Sequence, residues 1–482
     1  MSWRHLLHVV GAVVGGIGAT MLVSALVSVI YREWSDAIAI TLAALVTTAI
    51  GAAVWKWFDR PGELSTREGF AAVALAWMAI GIFGTLPYLF TQSIPNFTDA
   101  VFETVGGFTT TGASVIPDPG ALSHGIKFWR SFTQWMGGMG IIVLSIAILP
   151  LLGMGAVQLA RAESPGPTPD RLTPRFKETA KRLWIVYIAL TAAQGLLLWL
   201  GDMTIFEAIN HAFTTMSTGG YSTDAGSLGA FSAYSQWVVI LFMIMAGTSF
   251  AVHYRAVKSP LVYLRTTEVR VYFAVIAVAA IIMIAGTWGG PIHDVIRDAL
   301  FTAASIVTTT GYGTADFGLW KPAVQIMIVG LMFIGGMAGS TSGSMKIYRH
   351  EILFEASRSD VRRLIHPRGV FITRIGKNPI DDMLVEAVQA FFLLYMFSFL
   401  VGSFGLAVIA AIWGPDLSIV ATVSAVASSL GNVGPGLESV GPTGNYHDVP
   451  MLGKWLLAAL MIVGRLEILP VVILFNRESW RR

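Results

Sequence analysis

The sequence predicts an all-α polytopic membrane protein: four repeated units of span, short helix, loop and span around a common axis, with two further spans ahead of them. Three observations carry that reading. Hydrophobic residues make up 54% of the chain and charged residues 13%, where a soluble domain carries about 25% charged. Apolar runs of about 20 residues, the length a helix needs to cross about 30 Å of hydrocarbon, recur from end to end. One pattern between those runs returns four times.

Taken in order, the runs place spans over 6–30, 37–58, 68–93, 128–152, 182–201, 233–254, 271–289, 322–345, 386–413 and 451–475. The first, LLHVVGAVVGGIGATMLVSALVSVIY, exceeds the apolar region of a signal peptide and has one nearby arginine, so it reads as a retained span. Within it GGIGAT, Gly15–Thr20, suits a close helix–helix contact. The units divide as residues 1–60 for the two leading spans, then 61–160, 161–260, 261–350 and 351–482 for the repeats. The chain has no cysteine, which excludes disulfides, thiolate metal sites and cysteine nucleophiles.

The segments between spans alternate in character. One set is short and basic, including RAESPGPTPDRLTPRFKETAKR and YRAVKSPLVYLRTTEVR; the other is apolar, glycine-rich and acidic. Of 32 basic residues, 25 fall on the side of the N-terminus, six on the opposite side, and Arg465 alone lies deep within a span. Lys and Arg favour the cytoplasmic face, and ten spans return the chain to its starting side, so both termini are expected in the cytoplasm. The outer side carries 14 acids, among them Asp99, Glu103, Asp118, Glu207, Asp224, Asp298 and Asp316. An acidic mouth raises the local concentration of cations.

The outer segments align. DAVFETVGGFTTTG from Asp99 and DALFTAASIVTTTG from Asp298 share both ends and their length; FEAINHAFTTMSTG from Phe206 and the more diverged SIVATVSAVASSLG from Ser418 follow the same plan. Each is too short to span and ends on a glycine: Gly112, Gly219, Gly311 and Gly431. The following spans share a second mark, in WMGGMGI, IMAGTSF, FIGGMAG and IVGRLEI.

A short helix that dips into a membrane and returns as irregular backbone exposes unpaired carbonyls. Hydrocarbon forbids this unless the loop is buried in protein or lines a watery cavity. Four such loops around one axis present rings of carbonyl oxygen, which can replace the water of a dehydrated cation. Glycine permits the left-handed backbone that turns successive carbonyls inward, and the helices aim their partly negative C-terminal ends at the same place. The candidate ligands are Thr110, Thr111 and Gly112; Ser217, Thr218 and Gly219; Thr309, Thr310 and Gly311; and Ser429, Leu430, Gly431 and Asn432. TTTGYGT lies nearest the TVGYG loop of potassium channels. One well-formed ring is expected at the four glycines, with less regular rings beside it. The cargo is K⁺ held in the loops, and no covalently bound cofactor is expected.

Two other classes are weighed. A secondary carrier with alternating access usually keeps acidic or polar groups at mid-membrane, where this chain has few. A membrane-embedded enzyme needs a catalytic constellation. The nine histidines, including His124, His211, His253 and His447, make no HExxH pair, and no Gly-x-Ser-x-Gly elbow occurs. The basic pI of 9.0 comes from residues at span ends, so no nucleic-acid partner is expected; membrane lipid is.

The four loops TTTGAS, MSTGGYST, TTTGYGT and SSLGNVGPG, with GGMAGSTSGS and GRLE, resemble the Trk/Ktr/HKT superfamily of potassium transporters over nearly the whole chain. The two leading spans and the length make it similar to the TrkH/TrkG type of membrane subunit. The resemblance implies a bacterial inner-membrane homodimer with one pore per protomer, working with a cytoplasmic TrkA-like nucleotide-binding regulatory subunit. It also makes Gly112 a mark of K⁺ transport, because related plant transporters with serine there carry Na⁺. IGGMAGSTSGSMK, Ile334–Lys346, interrupts the third unit's second span with Gly335, Gly336, Gly339, Gly343 and three serines, Ser340 among them. Such a run is a poor helix former and can move; in the family the segment is a gating loop beneath the filter. Arg465 is a charge deep in a span, able to repel cations below the loops or to anchor the mobile segment. The resemblance puts it in the constriction. Glu467, two residues on, points from another helix face, which argues against a direct pair between them.

Overall fold

The computed structural model describes residues 2–58, 66–148, 172–376, 378–414 and 417–475. GPTPD, Gly166–Asp170, within the basic segment expected between the fourth and fifth spans, the end of the span expected over 128–152 and the unit boundaries near 60 and 160 lie outside the described residues. Apart from an antiparallel hairpin, Arg374–Ile375 against Asn378–Pro379, the described elements are helices.

Trp3–Ile30 and Trp34–Trp57 open the chain and pack on each other through their glycines. A Cβ placed on Gly51 would fall closer than 3.0 Å to the backbone of Gly15, and one on Gly18 equally close to that of Thr48. Each repeat then starts on a long apolar helix: Thr66–Phe83 continued by Leu86–Phe90, Leu172–Trp199, Thr267–Gly286 and Asp382–Trp413. Large side chains such as Leu22, Leu42, Ile281 and Phe404 stay exposed on these helices, the face a lipid-embedded helix offers to acyl chains.

Among the described residues six helices are long and apolar enough to cross a membrane. A seventh is added if Ala233–Ala246 and Phe250–Ala256, which meet at 100°, form one broken span. The sequence reading has ten, and the difference lies in the second spans. The first of these, His124–Ile148, runs straight through its glycine mark. The other three break there. The second unit bends at Gly247–Ser249, between Ala233–Ala246 and Phe250–Ala256. The third leaves the helix after Leu331 and resumes at Ile347. The fourth breaks after Arg465, where Glu467 and Ile468 take φ of +58° and +63°. Glycine and serine weaken the helix at these marks, and the freed amides find partners across units. Met337 N–H donates to the Gly247 carbonyl at 2.9 Å, and Phe250 N–H to that of Gly339 at 3.0 Å.

Between the spans of each repeat stands a short helix: Phe97–Phe108, Ile205–Met216, Ile292–Val307 and Ile419–Gly431. At about 1.5 Å per residue the 12-residue examples reach about 18 Å, too little to span. Three begin on side-chain caps: Asn96 accepts from Thr98 and Asp99 N–H, Thr204 forms a capping box with Glu207, and Ser418 accepts from Ala421 N–H. Such caps are worth about 1 kcal/mol each. From Ala100 to Phe108 every residue of the first helix is buried.

Candidate functional site

The C-terminus of each short helix runs directly into a loop, and the four loops share one backbone conformation. Thr110, Thr218, Thr309 and Asn432 are left-handed, with φ of 54°, 53°, 58° and 53°. Two residues later Gly112, Gly220, Gly311 and Gly434 have φ of 79°, 76°, 82° and 109°. The residue between them closes the helix in the same way each time. Thr111, Gly219, Thr310 and Val433 donate N–H to Gly106, Thr214, Ser305 and Ser428.

This pattern corrects the register read from sequence in two loops. The counterparts of Gly112 and Gly311 are Gly220 and Gly434, not Gly219 and Gly431. Gly219 stands where Thr111 does, Gly431 stands where Thr109 does, and Ser217 likewise matches Thr109. Ser429 and Leu430 belong to the last turn of their helix. The missed residues are Gly220, Val433 and Gly434. Asn432 held the clue, because asparagine is among the few non-glycine residues that accept left-handed backbone. Matching Asn432 to Thr110 would have placed Gly434 correctly.

The loops close into a ring. A Cβ on Gly112 would collide with the Gly219 carbonyl, one on Gly220 with that of Thr310, and one on Gly311 with that of Val433, all closer than 3.0 Å. One on Gly434 would lie 2.7 Å from the Thr111 carbonyl. Each loop thus abuts the next, and the fourth returns to the first, which requires a common axis.

Three tiers of carbonyl follow from the register. Among the described residues no group donates a hydrogen bond to the carbonyls of Thr110, Thr218, Thr309 or Asn432. In the next tier Thr111, Thr310 and Val433 are equally free, while Gly219 accepts from Gln134 Nε2 at 2.8 Å. In the third, Gly112, Gly220 and Gly311 are free, and Gly434 accepts from the Tyr446 hydroxyl at 2.9 Å. The complete tier is therefore two residues before the glycines, not at them. Buried backbone carbonyls are almost always paired, and a carbonyl's second lone pair leaves Gly219 and Gly434 one acceptor site each.

The hydroxyls contribute less than expected. Thr111 and Thr310 bond to Thr109 and Thr308 at 2.7 Å each, and Thr309 Oγ1 accepts from Gly343 N–H at 2.7 Å. Thr110 Oγ1 is buried without a partner among the described residues. The three threonines are β-branched residues in left-handed backbone, which costs on the order of 1–3 kcal/mol each and is held only where surroundings over-determine it.

Beneath the ring lies the irregular segment between Leu331 and Ile347. Gly335 and Gly339 take φ of 76° and 79°, and Gly336 has its N–H bonded to Ser342 Oγ at 3.0 Å. Ser340 bonds to Ser342 at 2.7 Å. The segment touches three of the four repeats where short helix meets loop: Thr341 Oγ1 donates to the Met216 carbonyl at 3.0 Å, Gly343 reaches Thr309, and a Cβ on Gly343 would collide with the Gly431 carbonyl. Arg465 is 2% exposed and donates from Nη1 to the Thr341 carbonyl at 2.8 Å, while its Nε and Nη2 have no hydrogen-bond partner among the described residues. Glu467 turns away from it and pairs with Arg349 at 2.6 Å. Among the described residues no group of histidines and carboxylates could hold a metal ion.

Comparison with known proteins places the chain. Residues 37–481 match the family described as TrkH, cation transport protein. The Trk system potassium uptake protein TrkH of Salmonella typhimurium is 38% identical, with each chain covered in full. The Trk system potassium uptake protein TrkG of Escherichia coli is 33% identical over 99% of each. The crystal structure of the potassium transporter TrkH from Vibrio parahaemolyticus superposes with a TM-score of 0.90 at 35% identity, covering both chains in full. The relatives' names describe transport, not catalysis. The chain belongs to the TrkH family of cation transport proteins.

Proposed function

We propose that this chain is the membrane subunit of a potassium-uptake system and passes K⁺ through a single pore formed by its own four loops. The observation that carries the reading is the closed ring of loops with its tiers of unpaired carbonyl oxygen. Stripping an ion of water without replacing its ligands costs tens of kcal/mol, and these oxygens are the replacement. The C-terminal ends of four helices add partial negative charge at the same point. Among the described residues three carbonyls in each of two tiers and four in the innermost have no donor, so coordination is tightest beside Thr110, Thr218, Thr309 and Asn432.

The segment around Gly335, Gly336, Gly339, Ser340 and Gly343 is the gate, held shut by its bonds to Met216 and Thr309 and by Arg465 on Thr341. The unpaired guanidinium nitrogens of Arg465 put positive charge beneath the loops, where it opposes a cation's passage. Relatives named as parts of a Trk system support a multicomponent assembly: a homodimer with a TrkA-like nucleotide-binding regulator on the cytoplasmic side. The basic residues on the N-terminal side support a bacterial inner-membrane orientation with both termini inside. Membrane voltage alone, at about 2.3 kcal/mol per charge per 100 mV, then sustains roughly fiftyfold K⁺ accumulation.

The test is flux of K⁺, Rb⁺ and Na⁺ into liposomes holding the purified chain. K⁺ and Rb⁺ should enter well ahead of Na⁺, with unitary current steps in planar bilayers. Equal entry of all three, or no entry even through Arg465→Ala protein, in which the gate has lost its bond from that arginine, overturns the proposal.

A further inference from the structure

Behind the first two loops lies a charged pair that the ring does not itself use. Glu103, on the first short helix, is 0% exposed, and Arg130, on His124–Ile148, is 2% exposed. Arg130 Nε and Nη2 both lie 2.8 Å from Glu103 Oε1. The carboxylate also accepts from Ser114 Oγ at 3.0 Å and from Val115 N–H at 3.0 Å, both just past Gly112. Arg130 Nη1 donates to the Ser222 carbonyl at 3.2 Å, just past Gly220, and its guanidinium stacks on the Tyr221 ring at 4.1 Å. The Tyr221 hydroxyl closes the circuit, donating to the carbonyls of Glu103 at 2.8 Å and Ala113 at 3.2 Å.

The fold at this place does not require charge. Gly137 abuts the Phe108 carbonyl as Gly464 abuts that of Leu430, so the fourth unit's counterparts of Glu103 and Arg130 are Ala425 and Leu457. Those two sit in an apolar cluster. Desolvating an ion pair costs several kcal/mol per ion, and apolar replacements of similar volume are often as stable. What the pair adds is position: directional bonds to the outer ends of two neighbouring loops, which an apolar contact does not give.

We propose that Glu103 and Arg130 are positioning residues that set how strictly the ring discriminates K⁺ from Na⁺. They fix the spacing between loops one and two at Ser114–Val115 and Tyr221–Ser222. A carbonyl ring selects by size and field only while its oxygens keep their separation. With the pair intact the first two loops cannot draw together around the smaller Na⁺. The inference rests on the ion-selecting role proposed for the loops.

The experiment compares the full-length parent with Glu103→Gln and Tyr221→Phe in liposomes, reading the ratio of Na⁺ to Rb⁺ uptake. Both variants should raise that ratio, Glu103→Gln by about tenfold, or about 1.4 kcal/mol of lost discrimination. Tyr221→Phe keeps the ring on Arg130 and removes only the hydroxyl that ties loop two to the Glu103 and Ala113 carbonyls, so it tests the fixed spacing of loops one and two if Glu103→Gln does not fold. A selective parent with unchanged ratios in the folded variants overturns the inference. A parent that does not itself discriminate overturns the ion-selecting role instead.

Discussion

The corrected register makes Gly220, not Gly219, the critical glycine of the second loop, and alanine at each separates the two. At Gly220 the backbone has φ of +76°, where an L-residue costs about 1–2 kcal/mol. The new Cβ would also meet the Thr310 carbonyl and the Gly311 backbone. Neither atom belongs to a flexible side chain, and overpacking of this kind costs about 1–3 kcal/mol. Together these give roughly 2–5 kcal/mol, delivered at the contact between loops two and three. At Gly219 the backbone is not left-handed, and the Cβ would meet the end of the Gln134 side chain. Gln134 must swing aside, losing its bond to the Gly219 carbonyl and the one it accepts from Tyr221 N–H, a change of about 1 kcal/mol for each bond. Rubidium uptake by reconstituted protein, beside thermal unfolding in detergent, should show Gly220→Ala reduced at least about tenfold, as about 1.4 kcal/mol implies. Gly219→Ala should lose clearly less than Gly220→Ala. Equal losses, or the reverse order, would refute the register and the ring built on it.

Three further outcomes follow from the same geometry. Arg465→Ala removes a charge-assisted bond worth about 1.5–3 kcal/mol, so cation leak in the absence of a regulator should rise about tenfold; unchanged leak would make the arginine purely structural. Gly343→Ala drives a Cβ onto the Gly431 carbonyl and should displace the gating segment, raising resting flux in liposomes, whereas lower flux would count against its role as a closed gate. Burial pushes the Glu351 carboxyl, on the helix Ile347–Ile365 outside the apolar spans, up to about 7, with Arg270 opposing and Glu355 adding to it. Its folded value lies above its ordinary one, so it stabilises the fold fully at low pH and that contribution is lost as pH rises through about 7. The unfolding temperature should fall between about pH 5 and pH 8, and Glu351→Gln should flatten that fall; an unaltered slope would exclude Glu351 as its source.

Much of this was legible in the residues because membrane hydrophobicity is a coarse, additive signal. The first span of each repeat needs only length and apolar content, and the Asp-Ala-x-Phe and Thr-Thr-Thr-Gly ends of units one and three identify the repeat directly. The breaks in the second spans were marked by glycine, yet WMGGMGI stays helical while IMAGTSF bends. Composition is similar there, and the outcome depends on which neighbour satisfies the freed amides. Loop register failed where glycines crowd together, in STGG and LGNVG, because a glycine permits a left-handed turn without demanding one. The Glu103–Arg130 pair could not be read at all: 27 positions separate the partners, and Glu103 looked like one more acid of an outer mouth. Its complete burial changes its meaning. Glu467 was readable in the negative sense, since helix geometry turned it from Arg465, but its partner Arg349 comes from another unit.

The most direct measurement is anomalous diffraction from crystals of this chain soaked in Rb⁺, which scatters strongly and substitutes for K⁺. The account predicts a peak on the axis of the four loops, strongest beside the carbonyls of Thr110, Thr218, Thr309 and Asn432 and weaker beside Gly219 and Gly434. Ordered Rb⁺ elsewhere in the protein, with no peak between the loops, would contradict it.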